Sequence, residues 1–125
     1  MGHRIRIVGK NIKLDAELND TATAQAVAQA LPITGEVNRW GEEVYFDIPV
    51  NKELEPGARA DVEVGEIGYW PAGRAFCVFF GRTPVSVSAK PRAASAVTVI
   101  GRVSGDARKL SASRDGDKIV IESAE

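Results

Sequence analysis

The chain has 125 residues, of which 44% are hydrophobic and 26% are charged, and its formal net charge at pH 7 is -1. This length suits one domain, residues 1–125, with a hydrophobic core of its own. The near-neutral charge argues against nucleic acid as a partner, and no apolar run approaches the roughly 20 residues of a membrane span. One cysteine and one histidine exclude a disulfide framework and Cys/His metal clusters. We therefore expect a cytoplasmic protein without metal, cofactor, nucleic-acid or membrane partner.

The chain opens with a pattern typical of a β-hairpin. Apolar and polar residues alternate in 4–8 and again in 11–14, with Gly9-Lys10 between the two runs. The period then changes, because Asp20-Thr21 is a helix start signal and residues 22–31 are rich in alanine, with small apolar side chains on one face. Pro32 ends this helix. Its small face predicts close packing against a sheet or across the mouth of a barrel.

Strand patterns return after the helix. Residues 33–38 and 44–48 predict a second hairpin around Trp40-Gly41. Residues 75–80 are apolar on both faces, which predicts a central strand with the core on one side and a helix or a ligand pocket on the other. Strands are also predicted at 96–103 and 118–122. The pattern favours a mainly β fold, a single closed antiparallel barrel of about eight strands with one or two short helices.

All eight aromatic residues lie between residues 40 and 80. Core packing accounts for some of these rings, in first place Phe46 and Phe79. Other rings fall at turns or opposite the aliphatic stripe, where a ring is half exposed and can face a ligand. We predict a ligand-binding cleft lined by one arginine and five rings: Arg39, Trp40, Tyr45, Tyr69, Trp70 and Phe76.

Acidic residues are frequent in the same part of the chain. Residues 36–66 hold nine acidic and three basic residues, whereas residues 82–114 hold seven basic residues and one acidic residue. Solvated strand edges account for these carboxylates, Glu43 and Glu66 among them, better than a paired-carboxylate active site does. Cys77 stands within an apolar run and is expected to pack in the core as a small hydrophobe.

The remaining residues do not identify a catalytic centre. A Ser-His-Asp or Cys-His arrangement needs a histidine held by its neighbours, and the one histidine, His3, lies next to the start of the chain. Neither GxGxxG nor GxxxxGK[ST] occurs, so the usual phosphate-binding loops are excluded. Catalytic residues are left unassigned.

Two stretches carry a resemblance to a known family. One is residues 38–49, which read NRWGEEVYFDIP, and the other is residues 64–84, which read VGEIGYWPAGRAFCVFFGRTP. Together they resemble the small cyclophilin-like proteins of bacteria and archaea, a largely uncharacterised family with a cyclophilin-type β-barrel. The resemblance covers roughly residues 4–122. It implies the same barrel that the strand pattern predicts.

The resemblance bears on catalysis as well. Residues 70–74, WPAGR, are similar to the W-x-x-G-[KR] segment of true cyclophilins, which are peptidyl-prolyl isomerases, and this implies that Trp70 is a wall of the pocket. Ala75 stands where cyclophilins have a histidine. The F-H-R segment that carries their catalytic arginine is missing, which leaves Arg39 as a candidate through its proximity to Trp40 alone.

Three functions remain open. The leading hypothesis is a barrel that binds a small molecule or a proline-containing peptide in the aromatic cleft, without strong catalysis. The alternative is a peptidyl-prolyl cis-trans isomerase. The second alternative is a structural or assembly protein, and the oligomeric state is not predicted.

Overall fold

The computed structural model describes residues 2–125, so Met1 of the predicted domain lies outside the described residues. Residues 2–125 form a helix α1 (Ala22–Ala30), two 3-10 segments (Pro71–Gly73 and Ala107–Ala112) and ten strands. The strands are β1 (His3–Gly9), β2 (Ile12–Leu18), β3 (Ile33–Glu36), β4 (Asn38–Arg39), β5 (Glu43–Asp47), β6 (Arg59–Asp61), β7 (Glu66–Trp70), β8 (Ala75–Phe79), β9 (Arg92–Val103) and β10 (Lys118–Ser123). In this part of the chain no helix has the length and apolarity needed to cross a bilayer.

The strands form one antiparallel sheet in the order β3-β10-β1-β2-β9-β7-β8-β5-β4, with β6 paired to the first half of β9. β1 and β2 make the predicted opening hairpin. β3 and β4 stand at the two ends of the order, yet only Val37 separates them along the chain. The sheet therefore curls around a core.

The mainly β fold with short helices is confirmed, but the closed barrel of about eight strands is not, because the sheet has ten strands in an open order. The predicted strand 33–38 is divided at Val37, whose N–H donates to Asp117 O and whose carbonyl accepts from the N–H of Gly116, each at 2.8 Å. As a result β3 pairs with β10, and only β4 pairs with β5. β6 is a further short strand that the pattern did not show.

α1 begins where the sequence predicts. The side-chain oxygen of Thr21 caps the helix by accepting a hydrogen bond from the N–H of Ala24 at 3.1 Å. Ala24 and Val27 are fully buried, and Ala28 is partly buried against the core. These small side chains allow the helix to pack closely against β2 and β9.

The sheet has buried side chains on both of its faces around β8. The larger core includes Phe46, Phe76 and Phe80, and the rings of Phe46 and Phe76 stack with centroids 5.3 Å apart. A second core lies on the other face, against the first half of β9, and consists of Val62, Ala75, Cys77, Phe79, Ala93 and Val97. Tyr45 and Trp70 are partly buried against the second core. β8 is thus covered on both faces, as its sequence predicts, although it stands third from one end of the strand order rather than at its centre.

Candidate functional site

A cavity of about 200 Å³ lies beside the second core. β5, β8 and the first half of β9 supply most of its wall, and two tryptophans at strand ends complete it. We call it the outer cavity, and its lining residues are Trp40, Glu43, Tyr45, Trp70, Cys77, Ala93, Ala94 and Val97.

Strand alternation places Glu43 and Tyr45 in the outer cavity. The two residues stand two positions apart on β5 and therefore point to the same face of the sheet. Their partners across the ladder are Phe79 and Cys77, which face the second core. Phe46, which lies between Tyr45 and Asp47 on the strand, points to the other face and fills the larger core.

A tight turn holds Trp40 at the cavity wall. Trp40 and Glu43 exchange backbone hydrogen bonds at 3.0 and 3.2 Å across the two residues Gly41 and Glu42. Gly41 has a φ of +60°, which matches the hairpin turn that takes glycine at its first central position. A Cβ at Gly41 would lie 2.9 Å from Thr83 Cα, so the turn also fits closely against the loop after β8.

Trp70 is fixed at its polar edge. Its indole N–H donates to the hydroxyl of Ser95 on β9 at 2.7 Å. A Cβ on Gly73 would lie 3.0 Å from Trp70 Cε3, which shows that the ring packs over the 3-10 turn. With the N–H engaged by Ser95, Trp70 contributes a mainly apolar part of the cavity wall.

Glu43 is the ionisable group of the cavity, and the expectation that it is solvated is wrong. It is 5% exposed. Burial raises the pKa of Glu43 to about 7, and the neighbouring Cys77 thiol lowers it by a smaller amount. Burial, and secondarily the charge of Glu43, raise the pKa of the Cys77 thiol well above its usual range. Near neutral pH the thiol is therefore protonated and the carboxyl is divided between its neutral and charged forms.

Glu66 is also buried, at 7% exposed, where a solvated strand edge was expected. It differs from Glu43 in having a cation beside it, because Arg59 donates to its two carboxylate oxygens at 3.0 and 2.8 Å. Burial alone would raise the pKa of Glu66, but the hydrogen bonds from Arg59 and from the N–H of Glu63 outweigh it and lower the pKa. The two buried carboxyls thus have opposite electrostatic environments.

The structure brings Trp40, Tyr45 and Trp70 of the predicted cleft together, but it places Tyr69 and Phe76 in the larger core. Both are 0% exposed. The Tyr69 hydroxyl donates to Val50 O at 2.6 Å and accepts the N–H of Lys52 at 3.2 Å. Tyr69 shares its face of β7 with Ile67, so alternation directs it inward with the aliphatic side chains.

Arg39 also lies outside the cavity. Its guanidinium donates to the carbonyls of Gly41 (3.1 and 3.2 Å), Ser111 (3.2 Å) and Ser113 (2.8 Å). Its Cζ atom stands 5.1 Å from the centroid of the Phe80 ring. Arg39 therefore ties the turn that carries Trp40 to the 3-10 segment Ala107–Ala112, and its donors are engaged by backbone oxygens.

Glu43 and the part of β9 that covers it were not predicted to belong to the site. One feature of the sequence did indicate that Glu43 is buried. Residues 75–80 are apolar on both faces, which indicates that both faces of the sheet are covered there. The neighbouring strand β5 shares that cover, so its outward side chains, including Glu43, are buried as well. Nothing in the alternation indicated that β9 is the cover. β9 pairs with β7 from Thr98 onward, with an irregularity opposite Ile67 and Gly68, whereas its first half pairs with β6.

The cavity is suited to holding one compact group. Aromatic and small aliphatic side chains form most of the wall. A protein cavity of roughly 150 Å³ holds a benzene molecule, so about 200 Å³ has room for a single ring or a short branched chain. Among residues 2–125, no three His, Cys, Asp or Glu side chains come together as a metal site.

Comparisons with known proteins agree with the fold. The family model described as Cyclophilin-like matches residues 3–122, which include every residue of the outer cavity. The chain is similar to the solution structure of a hypothetical protein from Archaeoglobus fulgidus, with a TM-score of 0.83 and 41% sequence identity over 98% of this chain and 95% of that chain. No curated protein matches the chain.

Proposed function

Since this chain belongs to the cyclophilin-like family, we propose that it is a ligand-binding protein that holds a small molecule or one side chain of a peptide in the outer cavity, without strong catalysis. The observation that carries the proposal is the convergence of three half-buried rings, Trp40, Tyr45 and Trp70, on one concave surface. Concave apolar sites with a few placed polar groups are where proteins bind small ligands.

The size of the cavity limits the ligand. Pockets that enclose a drug-sized molecule measure roughly 300 to 1,000 Å³, and the outer cavity is smaller, at about 200 Å³. A ligand larger than one ring therefore places one group inside and leaves the rest outside. This suits a peptide that inserts one side chain as well as a small metabolite.

Isomerase activity is the second candidate, and the similarity of residues 70–74 to the cyclophilin segment favours it. Cyclophilin-type catalysis places an arginine beside the twisting amide. Arg39, the candidate for that role, instead donates hydrogen bonds to three backbone carbonyls of the protein itself, which disfavours the isomerase function. A protease-coupled isomerisation assay separates the two functions, because the binding proposal expects the wild-type rate to equal the uncatalysed background.

An assembly role would need the aromatic rings on an exposed, flat surface. The large hydrophobic residues that residues 2–125 do expose are Leu54, Val64, Val85 and Val87, and none of them lines the outer cavity. Light scattering after size-exclusion chromatography, with and without a substitution in the cavity, tests whether the rings take part in a subunit contact.

Intrinsic fluorescence tests the binding proposal directly, because the only two tryptophans of the chain, Trp40 and Trp70, both line the cavity. We expect the emission to change in a saturable manner with at least one member of a set of ring-sized fragments and short proline-containing peptides. No change with any member of the set would contradict the proposal.

A matched pair of variants shows whether the response comes from the cavity. Ala94 lines the cavity and is exposed, so Ala94→Leu narrows it without overpacking the core. Ala96 lies on the same strand outside the lining. We expect Ala94→Leu to weaken the response and Ala96→Leu to preserve it.

A further inference from the structure

The charge of the outer cavity restricts what it binds. Glu43 is a carboxylic acid, and none of the lining residues is a lysine, arginine or histidine. Aromatic rings make up much of the remaining wall, and the negative π-face of an aromatic ring attracts a cation. Among residues 2–125, the lining therefore combines two features that favour a positively charged ligand and contains no cationic side chain.

The contrast between the two buried glutamates strengthens this reading. Buried carboxylates are normally paired, as Glu66 is with Arg59. Within residues 2–125 no ion pair involves Glu43. Cys77 lies beside it in the cavity wall as a neutral thiol, which donates to Ala75 O at 3.8 Å. No side chain among residues 2–125 forms an ion pair that supplies its counter-charge, whereas a cationic ligand in the cavity would supply it.

On the basis of the proposed ligand-binding function, we propose that the group held in the outer cavity is a compact organic cation, a methylated or cyclic ammonium, surrounded by Trp40, Tyr45 and Trp70 with the Glu43 carboxylate as its counter-ion. A methylated ammonium carries its charge in an apolar shell. It therefore loses less hydration on entering an aromatic cavity than a bare ammonium or a metal ion does.

The proton of Glu43 takes part in this binding. The titratable side chains that line the cavity with it are Tyr45 on its own strand and Cys77 on β8, while β9 contributes the non-titratable Ala93, Ala94 and Val97. Since burial raises the pKa of Glu43 to about 7, a cation that favours the charged carboxylate releases a proton near neutrality. Affinity for the cation should therefore rise as the pH increases through about 7 and level off above it.

Two small probes of nearly equal shape test the charge requirement. Choline carries a trimethylammonium group, and 3,3-dimethylbutan-1-ol is its neutral carbon analogue. We expect choline to bind at least about tenfold more tightly than the neutral alcohol in buffers of high pH, measured by tryptophan emission and by calorimetry. Calorimetry in two buffers of different ionisation enthalpy should show release of protons near neutral pH.

Glu43→Gln is the decisive variant, with Asp47→Asn as its control. Asp47 lies on the same strand, is exposed and does not line the cavity. We expect Glu43→Gln to weaken choline binding about tenfold or more and to abolish its pH dependence, while the affinity for the neutral alcohol stays the same. Asp47→Asn should behave as the wild type.

Two outcomes would overturn the inference. Equal affinity for choline and the neutral alcohol, unchanged in Glu43→Gln, would show that the charge is irrelevant and would leave the ligand-binding function standing. An absence of any choline response from folded protein at millimolar concentrations would also overturn the inference. The response to the fragment set would then decide separately whether the cavity binds other ligands.

Discussion

Glu43 occupies an environment that disfavours its charge, and this has a consequence for stability. Burial raises its pKa from 4.5 to about 7 in the folded protein. Between these values the unfolded chain releases the proton and the folded chain retains it, so stability falls as the pH rises. Below about pH 4.5 the Glu43 carboxyl is neutral in both the folded and the unfolded chain. Above about pH 7 it is charged in both, and the full free-energy cost of burying the charge lowers the stability of the fold.

We predict that Glu43→Gln removes this pH dependence. At about pH 8 the variant should be more stable than the wild type by a value on the order of 3 kcal/mol, because its amide carries no charge to bury. Near pH 4.5 the two proteins should be of similar stability. Urea denaturation at both pH values measures the difference. A variant that is no more stable than the wild type at the higher pH would show that Glu43 is well solvated.

Arg39 is a structural residue, and we predict that Arg39→Ala destabilises the protein by about 2 to 3 kcal/mol, since it leaves three carbonyls without a charged donor. Arg39→Lys should restore little of this loss, because one ammonium does not match the planar fork of the guanidinium. Thermal denaturation provides the measurement. Arg114→Ala is the control. Arg114 is exposed and directly follows Ser113, so its replacement should change stability very little.

At the scale of the element, the turn at Gly41 determines where Trp40 stands. We predict that Gly41→Ala is more destabilising than Gly57→Ala, although both glycines have positive φ values of 60° and 89°. An alanine at Gly57 meets no atom within 4 Å and suffers only backbone strain, on the order of 1 kcal/mol. An alanine at Gly41 adds contacts of 2.9 Å with backbone atoms of Arg82 and Thr83.

Denaturation and tryptophan emission of the two glycine variants check this prediction together. Gly41→Ala should lower the stability further than Gly57→Ala and also alter the emission of Trp40, whereas Gly57→Ala should leave the emission unchanged. Equal losses in the two variants would mean that the turn moves freely away from the loop after β8.

Individual elements were largely predictable from the sequence because their signals are local. Thr21 marks the start of α1, alternation marks β1 and β2, and the doubly apolar run marks β8. The break at Val37 was not predictable, because it depends on hydrogen bonds to Gly116 and Asp117, which are far away in the chain. A strand pattern reports which residues are extended and not which strand they pair with.

The candidate site was also predictable only where its signals are local in the sequence. Trp40, Tyr45 and Trp70 were identified from their places at turns and alternate positions, and the structure brings them together. Tyr69 and Phe76 were placed on the wrong face of their strands. The burial of Glu43 depends on the covering by β9, a long-range contact that composition does not express.

At the scale of the whole molecule, the opposite charges of the two chain segments lie next to each other. The acidic segment 36–66 and the basic segment 82–114 meet where β6 and the residues that follow it approach the start of β9 and the loop before it. There Asp61 stands 3.8 Å from Arg92, and Glu63 stands 3.0 Å from Lys90. These exposed pairs add little stability. They neutralise the charge gradient of the sequence on this side of the protein.

The same first half of β9 has a second role, since it covers the outer face of the sheet. It pairs with β6 and contributes Ala93 and Val97 to the second core. Gly68 permits the close approach, because a Cβ there would lie 2.7 Å from Val97 Cγ2. The outer cavity is therefore a product of the folding of β9 over the sheet rather than of any single strand.

A nuclear magnetic resonance titration of the labelled protein with choline tests most directly whether the outer cavity binds an organic cation. We expect saturable shifts of the indole N–H signals of Trp40 and Trp70 and of the methyl signals of Ala93 and Ala94, with the signals of Leu54 and Val87 unchanged. Shifts confined to residues outside the outer cavity, or no shift at any of these signals, would contradict the binding of an organic cation there.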